Sequence, residues 1–290
     1  MPDSLRLLIA ESETVQDRER RRQSTGRSSG ESYMATLQTI CPNAECELVR
    51  PVEPGGNARP AQDLAAYDAV FLTGSPMHVY RETPEVRRQL EFMRAVFEAA
   101  TPSFGSCAGL QVAVAAAGGT VRECRRGHEV AFARRILRTE AGQTHPLLAG
   151  RPSVYDAGAI HSDEVEVLPS EGATLLATNG VTRVQAAEVR FGHGVFWGVQ
   201  YHPELPLSEI ADALRRQGDD LIEQGLARTW TDVEDQASLI EALGREPDRR
   251  DLAWRLGVDD QVADPRLRQT ELRNFIEHLV LPTRSGRGRG

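Results

Sequence analysis

The chain reads as an α/β protein: a doubly wound, mostly parallel sheet with helices on both faces, antiparallel strand additions and a C-terminal helical appendage. Three observations predict this. Apolar runs of strand length alternate with helical stretches from Leu5 to Ala117, the signature of βαβ units. Between Glu129 and Val199 short apolar runs follow one another with only Gly, Asn and Pro turns between them, which suits antiparallel strands. From Ser208 almost to the end, the apolar residues recur at helical spacing.

Residues 5–10 form the first buried strand. Residues 11–30 are dense in Arg, Ser and Gly and read as a loop at the carboxyl edge of the sheet, where such folds bind ligands. Two uses stay open for it, a solvated linker or a lid carrying an arginine for a substrate carboxylate. Residues 31–40 are helical, and 46–52 and 69–73 are the second and third strands. Thr83-Pro84-Glu85 is a helix start, with a hydroxyl N-cap, proline at the first position and an acid in the first turn. That helix runs to about residue 100 and leads into a short apolar run, 99–104. The later strand candidates are 129–138, 153–157, 164–168, 174–178, 184–190 and 195–199, with Gly192-His193-Gly194 as a hairpin turn.

The run 99–104 breaks at Gly105-Ser106-Cys107-Ala108-Gly109 and becomes a helix of small residues, 110–117. A reactive side chain on a strand-to-helix turn, with glycine two positions to either side, is the nucleophile-elbow arrangement with cysteine in place of serine. The glycines permit the close approach of strand and helix, and the helix N-terminus favours a thiolate. The same pattern also fits a buried cysteine in a tight turn. A second stretch, Gly198-Val199-Gln200-Tyr201-His202-Pro203-Glu204, leaves the end of the strand 195–199. It offers the base a thiol needs, His202, and an acid to orient it, Glu204.

Together these two motifs resemble those of the class I, or triad-type, glutamine amidotransferases, and the helical C-terminus with Arg249-Arg250-Asp251-Leu252-Ala253-Trp254-Arg255-Leu256-Gly257-Val258 resembles the free-standing, γ-glutamylamide hydrolase branch. Leu72-Thr73-Gly74-Ser75-Pro76 resembles the family's oxyanion loop, and His161-Ser162-Asp163-Glu164-Val165 its substrate-side segment. The likeness covers residues 5–204. It implies a catalytic domain over 1–207 and an added helical appendage over 208–284, while the Gly/Arg composition of 285–290 reads as a disordered tail. It also implies Cys107, His202 and Glu204 as the catalytic triad, with backbone N–H groups of Gly74 and Ala108 as the oxyanion hole. Gln111, Ser75, His161 and Asp163 would be substrate contacts. For Gln111 a packed polar residue at a helix start, and for His161 and Asp163 an acid-rich exposed loop, remain as alternatives.

Composition narrows the rest. A net charge of −8 argues against a broad nucleic-acid surface. No apolar run approaches membrane-spanning length. All 34 basic residues are arginine, so a Schiff-base lysine and a P-loop lysine are both excluded. Cys41, Cys46, Cys107 and Cys124 show neither metal-ligand spacing nor a disulfide framework. No cofactor and no metal is expected, and a reducing cytoplasm is the expected setting. The arginines around Cys124 could lower its pKa, but no base lies near it in sequence and it reads as incidental; His78, His128, His145, His193 and His278 carry no partner signature.

Three functions follow in order. The first is cysteine-dependent hydrolysis of a γ-glutamyl amide, an anilide, an alkylamide or glutamine itself, by a free-standing enzyme with a small-molecule substrate. It could stand beside a glutamine-synthetase-like enzyme in one pathway and could be a homo-oligomer. The second is a glutaminase subunit supplying ammonia to a separate synthase. The third is a non-catalytic binding protein on the same fold.

Overall fold

The computed structural model describes residues 4–55 and 60–287. Strands β1 (Arg6–Ala10), β2 (Glu45–Val49), β3 (Ala69–Leu72) and β4 (Ser103–Ser106) alternate with helices. These are α1 (Val15–Thr25), α2 (Ser29–Ile40), α3 (Ala61–Leu64) and α4 (Pro84–Glu98). Helix α5 (Ala108–Ala116) follows β4, and β5 (Thr120–Glu123) follows α5. Next come β6 (Glu129–Arg138), α6 (Glu140–Thr144), β7 (Val154–His161), β8 (Asp163–Val167), β9 (Ala173–Thr178), β10 (Ala186–Phe191) and β11 (Gly194–Val199).

Nine strands make one sheet in the order β2-β1-β3-β4-β11-β10-β9-β6-β7. Its first half, from β2 to β11, is parallel. From β11 to β7 the pairing is antiparallel. The α/β class, the parallel half and the antiparallel extension therefore match expectation. β5, which the sequence reading left unassigned, pairs antiparallel with β8 in a second small sheet.

Alternation within each strand sends side chains to two cores. Leu7 and Ile9 of β1 join Phe71, Phe104 and Trp197 under α2. Leu8 and Ala10 face the other way, onto Met93, Val96 and Phe97 of α4 and the apolar residues of α5. The predicted start of α4 is present: Thr83 caps Val86 N–H with Pro84 as the first helical residue.

The C-terminal helices are α7 (Leu207–Arg216), α8 (Gly218–Glu223), α9 (Trp230–Arg245), α10 (Arg250–Leu256), α11 (Asp260–Ala263), α12 (Pro265–Arg268) and α13 (Thr270–Phe275). A π-helical turn, Ile276–Val280, and α14 (Leu281–Arg287) complete them. They share the cores of the sheet. Ile210, Leu214, Val233, Ile240 and Leu252 pack with Ala131 and Phe132 of β6. Phe275 enters the first core, its ring 5.3 Å from Phe71, 5.5 Å from Phe104 and 6.1 Å from Trp197. Among the described residues no helix is long and apolar enough to cross a membrane.

Two expectations are corrected. Residues 11–30 are not a loop but chiefly α1, capped by Thr14 and ended by Gly26 at φ 75°. Arg, Gln and Glu are good helix formers, but this helix has no apolar stripe for periodicity to detect. Charges dock it instead: Arg18 pairs with Glu53 at 2.6 Å, and Arg21 with Glu209 at 2.6 Å. Arg22 pairs with Glu31. The tail expected to be disordered from 285 continues α14 as far as Arg287, and residues 288–290 lie outside the described part.

The seating of α5 depends on glycine. A Cβ on Gly109 would lie 2.6 Å from the Leu72 carbonyl oxygen, whereas one on Gly180 would meet nothing within 4 Å. Gly109→Ala is therefore expected to lower the unfolding free energy by about 2 kcal/mol or more, since backbone must shift. Gly180→Ala should stay within about 0.5 kcal/mol of the parent. Urea denaturation of both variants checks this, and equal stabilities would overturn the packing argument.

Candidate active site

The parallel strands β3, β4 and β11 end side by side, so the segments leaving them converge at one edge. Cys107 leaves β4 at φ 53° and ψ −112°, immediately before the first residue of α5. A non-glycine residue in this region is strained and persists only where its surroundings impose it. Here the Cys107 N–H donates to the Val199 carbonyl at 2.8 Å. The flanking glycines leave room for the turn, since a Cβ on Gly105 would lie 2.8 Å from the Gly109 carbonyl carbon.

His202 follows β11. Its backbone N–H donates to the Gly158 carbonyl of β7 at 2.7 Å, and its Nδ1 lies 2.7 Å from Glu204 Oε1. The Cys107 thiol, beside the ring, points toward the Ile160 carbonyl at 3.9 Å. Burial disfavours the imidazolium, but the Glu204 carboxylate and the neighbouring Cys107 sulfur outweigh it and raise the His202 pKa to about 10. Glu204 is itself buried, its main-chain carbonyl accepting from Thr36 Oγ1 at 2.8 Å. Burial and the neighbouring Glu204 charge push the Tyr33 hydroxyl well above its ordinary value, so Tyr33 stays neutral and donates or accepts with Ser106 Oγ at 3.2 Å.

Gly74 sits against both partners: a Cβ there would lie 2.7 Å from His202 Cε1 and 3.6 Å from Cys107 Cβ. Ala108 is the first residue of α5, so its N–H has no acceptor within the helix. Ser75 turns its hydroxyl back to the Met77 N–H at 3.3 Å.

Gln111, His161 and Asp163, expected on the substrate side, come together in a buried lattice. Gln111 Nε2 donates to the Asp163 carbonyl at 3.0 Å and to Gln200 Oε1 at 3.2 Å. Both nitrogens of His161 are engaged, Nδ1 with the Asp163 carbonyl and Nε2 with Glu129 Oε2, each at 3.0 Å. The Asp163 side chain points to His78, with 2.7 Å from Oδ2 to Nδ1. Tyr80 Oη lies 3.2 Å from the same nitrogen.

Sequence reasoning missed His78, Tyr80 and Glu129. His78 and Tyr80 lie in the loop just after Gly74, a nearby signal, but their partner is 85 residues from His78. His145 also has a partner, Glu188, at 3.3 Å. The reading of Cys124 is corrected: burial, then Glu164, Asp163 and Glu129, raise its pKa rather than lower it. Its flanking Arg122 is committed to Glu164 and Glu166. Among the described residues no three His, Cys, Asp or Glu side chains are grouped to hold a metal.

A sequence model of class I glutamine amidotransferases matches residues 34–218. Over 286 residues the chain is 36% identical to γ-glutamyl-L-1-hydroxyisopropylamide hydrolase of a Pseudomonas species, covering 97% of this chain and 95% of that enzyme. The chain belongs to the class I glutamine amidotransferase family. A GMP synthase of Porphyromonas gingivalis is 32% identical over 76% of this amidotransferase-family chain, which spans 42% of that longer protein. Among solved structures, a glutamine amidotransferase of Thermotoga maritima superposes with a TM-score of 0.66 at 17% identity, covering 95% of this chain and 98% of that one. One from Methylobacillus flagellatus gives 0.60 at 15% identity, over 94% and 92%. At those identities the structures show the shared fold alone.

The raised His202 pKa carries a pH dependence. The unfolded histidine titrates near 6.5 and the folded one near 10. The protonated pair therefore contributes its full stability below pH 6.5 and loses it as pH rises through about 10. The stability advantage of the parent over His202→Asn is expected to shrink across that interval in urea titrations. An advantage independent of pH would contradict the assignment.

Proposed function

We propose that this chain is a free-standing hydrolase of N-substituted γ-glutamylamides, acting through a γ-glutamyl thioester on Cys107. The observation that carries the reading is the Cys107–His202–Glu204 constellation. The near full-length likeness to a γ-glutamylamide hydrolase supports the substrate class, because it extends through the C-terminal helices. The GMP synthase relatives match only part of their length, which favours an enzyme that needs no synthase partner.

In this mechanism Cys107 Sγ adds to the γ-carbonyl carbon of the substrate. The oxyanion that forms is stabilised by the Gly74 and Ala108 N–H groups, preorganised donors that need no reorientation during the reaction. His202, protonated in the resting site, donates its proton to the amide nitrogen. The C–N bond breaks, the amine leaves and the thioester remains. A water then attacks with neutral His202 as base, the C–S bond breaks, glutamate leaves and the proton returns to the Cys107–His202 pair. Glu204 orients the imidazole and stabilises its charged form.

In this reading Asp163 accepts a bond from the α-ammonium of the γ-glutamyl group, while Gln111 secures the Asp163 backbone. Ser75 and His161 act as supports of the loops that carry Gly74 and Asp163. The helices over 208–284 form a wall of the catalytic unit. The enzyme works in a reducing, cytoplasmic setting, where a catalytic thiol persists.

Turnover of a panel of γ-glutamyl alkylamides and anilides against glutamine tests the reading. A substituted amide is expected to exceed glutamine in kcat/KM by about a hundredfold, on the order of 2.7 kcal/mol of differential transition-state binding. Comparable rates on glutamine, rising when a synthase is added, would replace this reading with ammonia supply. Cys107→Ala should remove turnover while keeping the fold, and His202→Asn should be nearly as damaging. Glu204→Gln should cost less, because the 2.7 Å backbone bond to Gly158 still positions His202. Turnover by Cys107→Ala within about tenfold of the parent would exclude Cys107 as nucleophile.

A further inference from the structure

We infer that the buried pair Arg151–Glu271 is a positioning device for His202, acting through Tyr201, and that it makes the C-terminal helix α13 part of the catalytic apparatus. The inference rests on the reading of His202 as the catalytic base.

The segment from Gln200 to Glu204 is secured residue by residue. Gln200 N–H donates to the Gln185 carbonyl at 2.9 Å, and His202 N–H to Gly158 at 2.7 Å. The Glu204 carbonyl accepts from Thr36. Between them Tyr201, fully buried, sends its side chain the opposite way from His202, into the first core. Its hydroxyl donates to Glu271 Oε1 at 2.8 Å. Since that proton is committed, the Tyr155 hydroxyl donates to Tyr201 Oη, also at 2.8 Å.

Glu271 is held in turn. Its carboxylate takes a forked bond from Arg151, 2.7 Å from Nε and 2.8 Å from Nη2. Arg151 also reaches Gln261 Oε1 at 2.8 Å and the Arg268 carbonyl at 3.2 Å. Its guanidinium lies 4.8 Å from the centre of the Tyr155 ring. The two charged side chains are 1% and 0% exposed.

A buried ion pair gains little over apolar residues of the same size, because desolvation offsets the attraction, so bulk stability does not account for it. What the forked pair adds is direction. It fixes one carboxylate oxygen where only a Tyr201 hydroxyl in a single rotamer can reach it. That sets the pitch of the chain on which the next residue is His202. Glu271 and Gln261 lie beyond residues 34–218, the segment matched by the family, so α11 and α13 contribute a feature additional to that core. A displaced imidazole loses rate steeply, by up to about a hundredfold per ångström.

The test uses the full-length protein and three variants. Tyr201→Phe removes only the hydroxyl. Glu271→Gln would strand a buried guanidinium, so the pair is removed together, as Arg151→Met with Glu271→Leu. Val280→Ala, in the same core and fully buried, is the control for lost stability. For Tyr201→Phe and the double variant kcat is expected to fall about tenfold with KM within about twofold. The pH midpoint for alkylation of Cys107 by iodoacetamide should rise by about half a unit or more, as the imidazolium is displaced from the sulfur. Val280→Ala should lower the melting temperature and change neither readout.

Unchanged kcat and an unchanged alkylation midpoint in both network variants, with only melting temperature lowered, would reduce the network to core packing and overturn the inference. Alkylation needs no substrate. A parent protein inactive on every γ-glutamylamide, whose midpoint still moves in the variants, would therefore refute the substrate assignment and support the positioning.

Discussion

Gly109 lies so close to the Leu72 carbonyl that a Cβ there would meet it at 2.6 Å, so only glycine lets the first turn of α5 sit directly on the end of β3. Leu72 is two residues before Gly74, and Gly109 two residues after Cys107, so this close packing brings Cys107 and the Gly74 loop to the same edge of the sheet. Phe196 of β11 closes the same spot from the other side, its ring 3.0 Å from where a Gly105 Cβ would be. Three neighbouring strands are thus locked at their carboxyl ends, and His202 emerges from the third. The strained backbone at Cys107 is tolerated because these neighbours leave it no alternative.

Around that fixed point the structure buries an unusual number of acids, each answered in a different way. Glu204 faces an imidazole, Glu271 a guanidinium and Glu129 a set of neutral and imidazole donors. For Glu129, burial pushes the carboxyl up, but bonds from His161, Asn179 and their neighbours hold it below the ordinary value. Glu129, His161, Asp163 and Gln111 form a continuous polar path from β6 to the elbow helix. Such a path is rigid when every member is satisfied, and it ends on the helix that carries the nucleophile.

How far these features were legible in the sequence depended on how local they are. The elbow and the Gln200–Glu204 stretch each lie within a few residues, so spacing alone conveyed their chemistry. The parallel half of the sheet was readable because β1 and β3 are almost wholly buried and apolar and turn or helix signals separate the strands. Helix α1 was not, since its partners are charges such as Glu209, 188 residues from Arg21. The pairing of His78 with Asp163 and of Tyr201 with Glu271 spans 85 and 70 residues, and nothing near either member marks the other. Helical spacing over the C-terminal stretch marked helices there, but not that Leu272 and Phe275 would fill the centre of the first core.

Helix α1 differs from every other long helix of the parallel half in being fastened by arginine rather than by oil. Apolar contacts gain little further strength on warming, whereas the desolvation cost of bringing charges together falls as temperature rises. The arginine fastenings of α1 at Glu53, Glu209 and Glu31 therefore lose less of their grip in the heat than an apolar seam would. Of the three, Arg22–Glu31 is partly exposed on both sides, whereas the Arg18 and Arg21 side chains are nearly buried, so dissolved salt screens the first far more than the other two. Heat and salt therefore act on different members of one set of contacts.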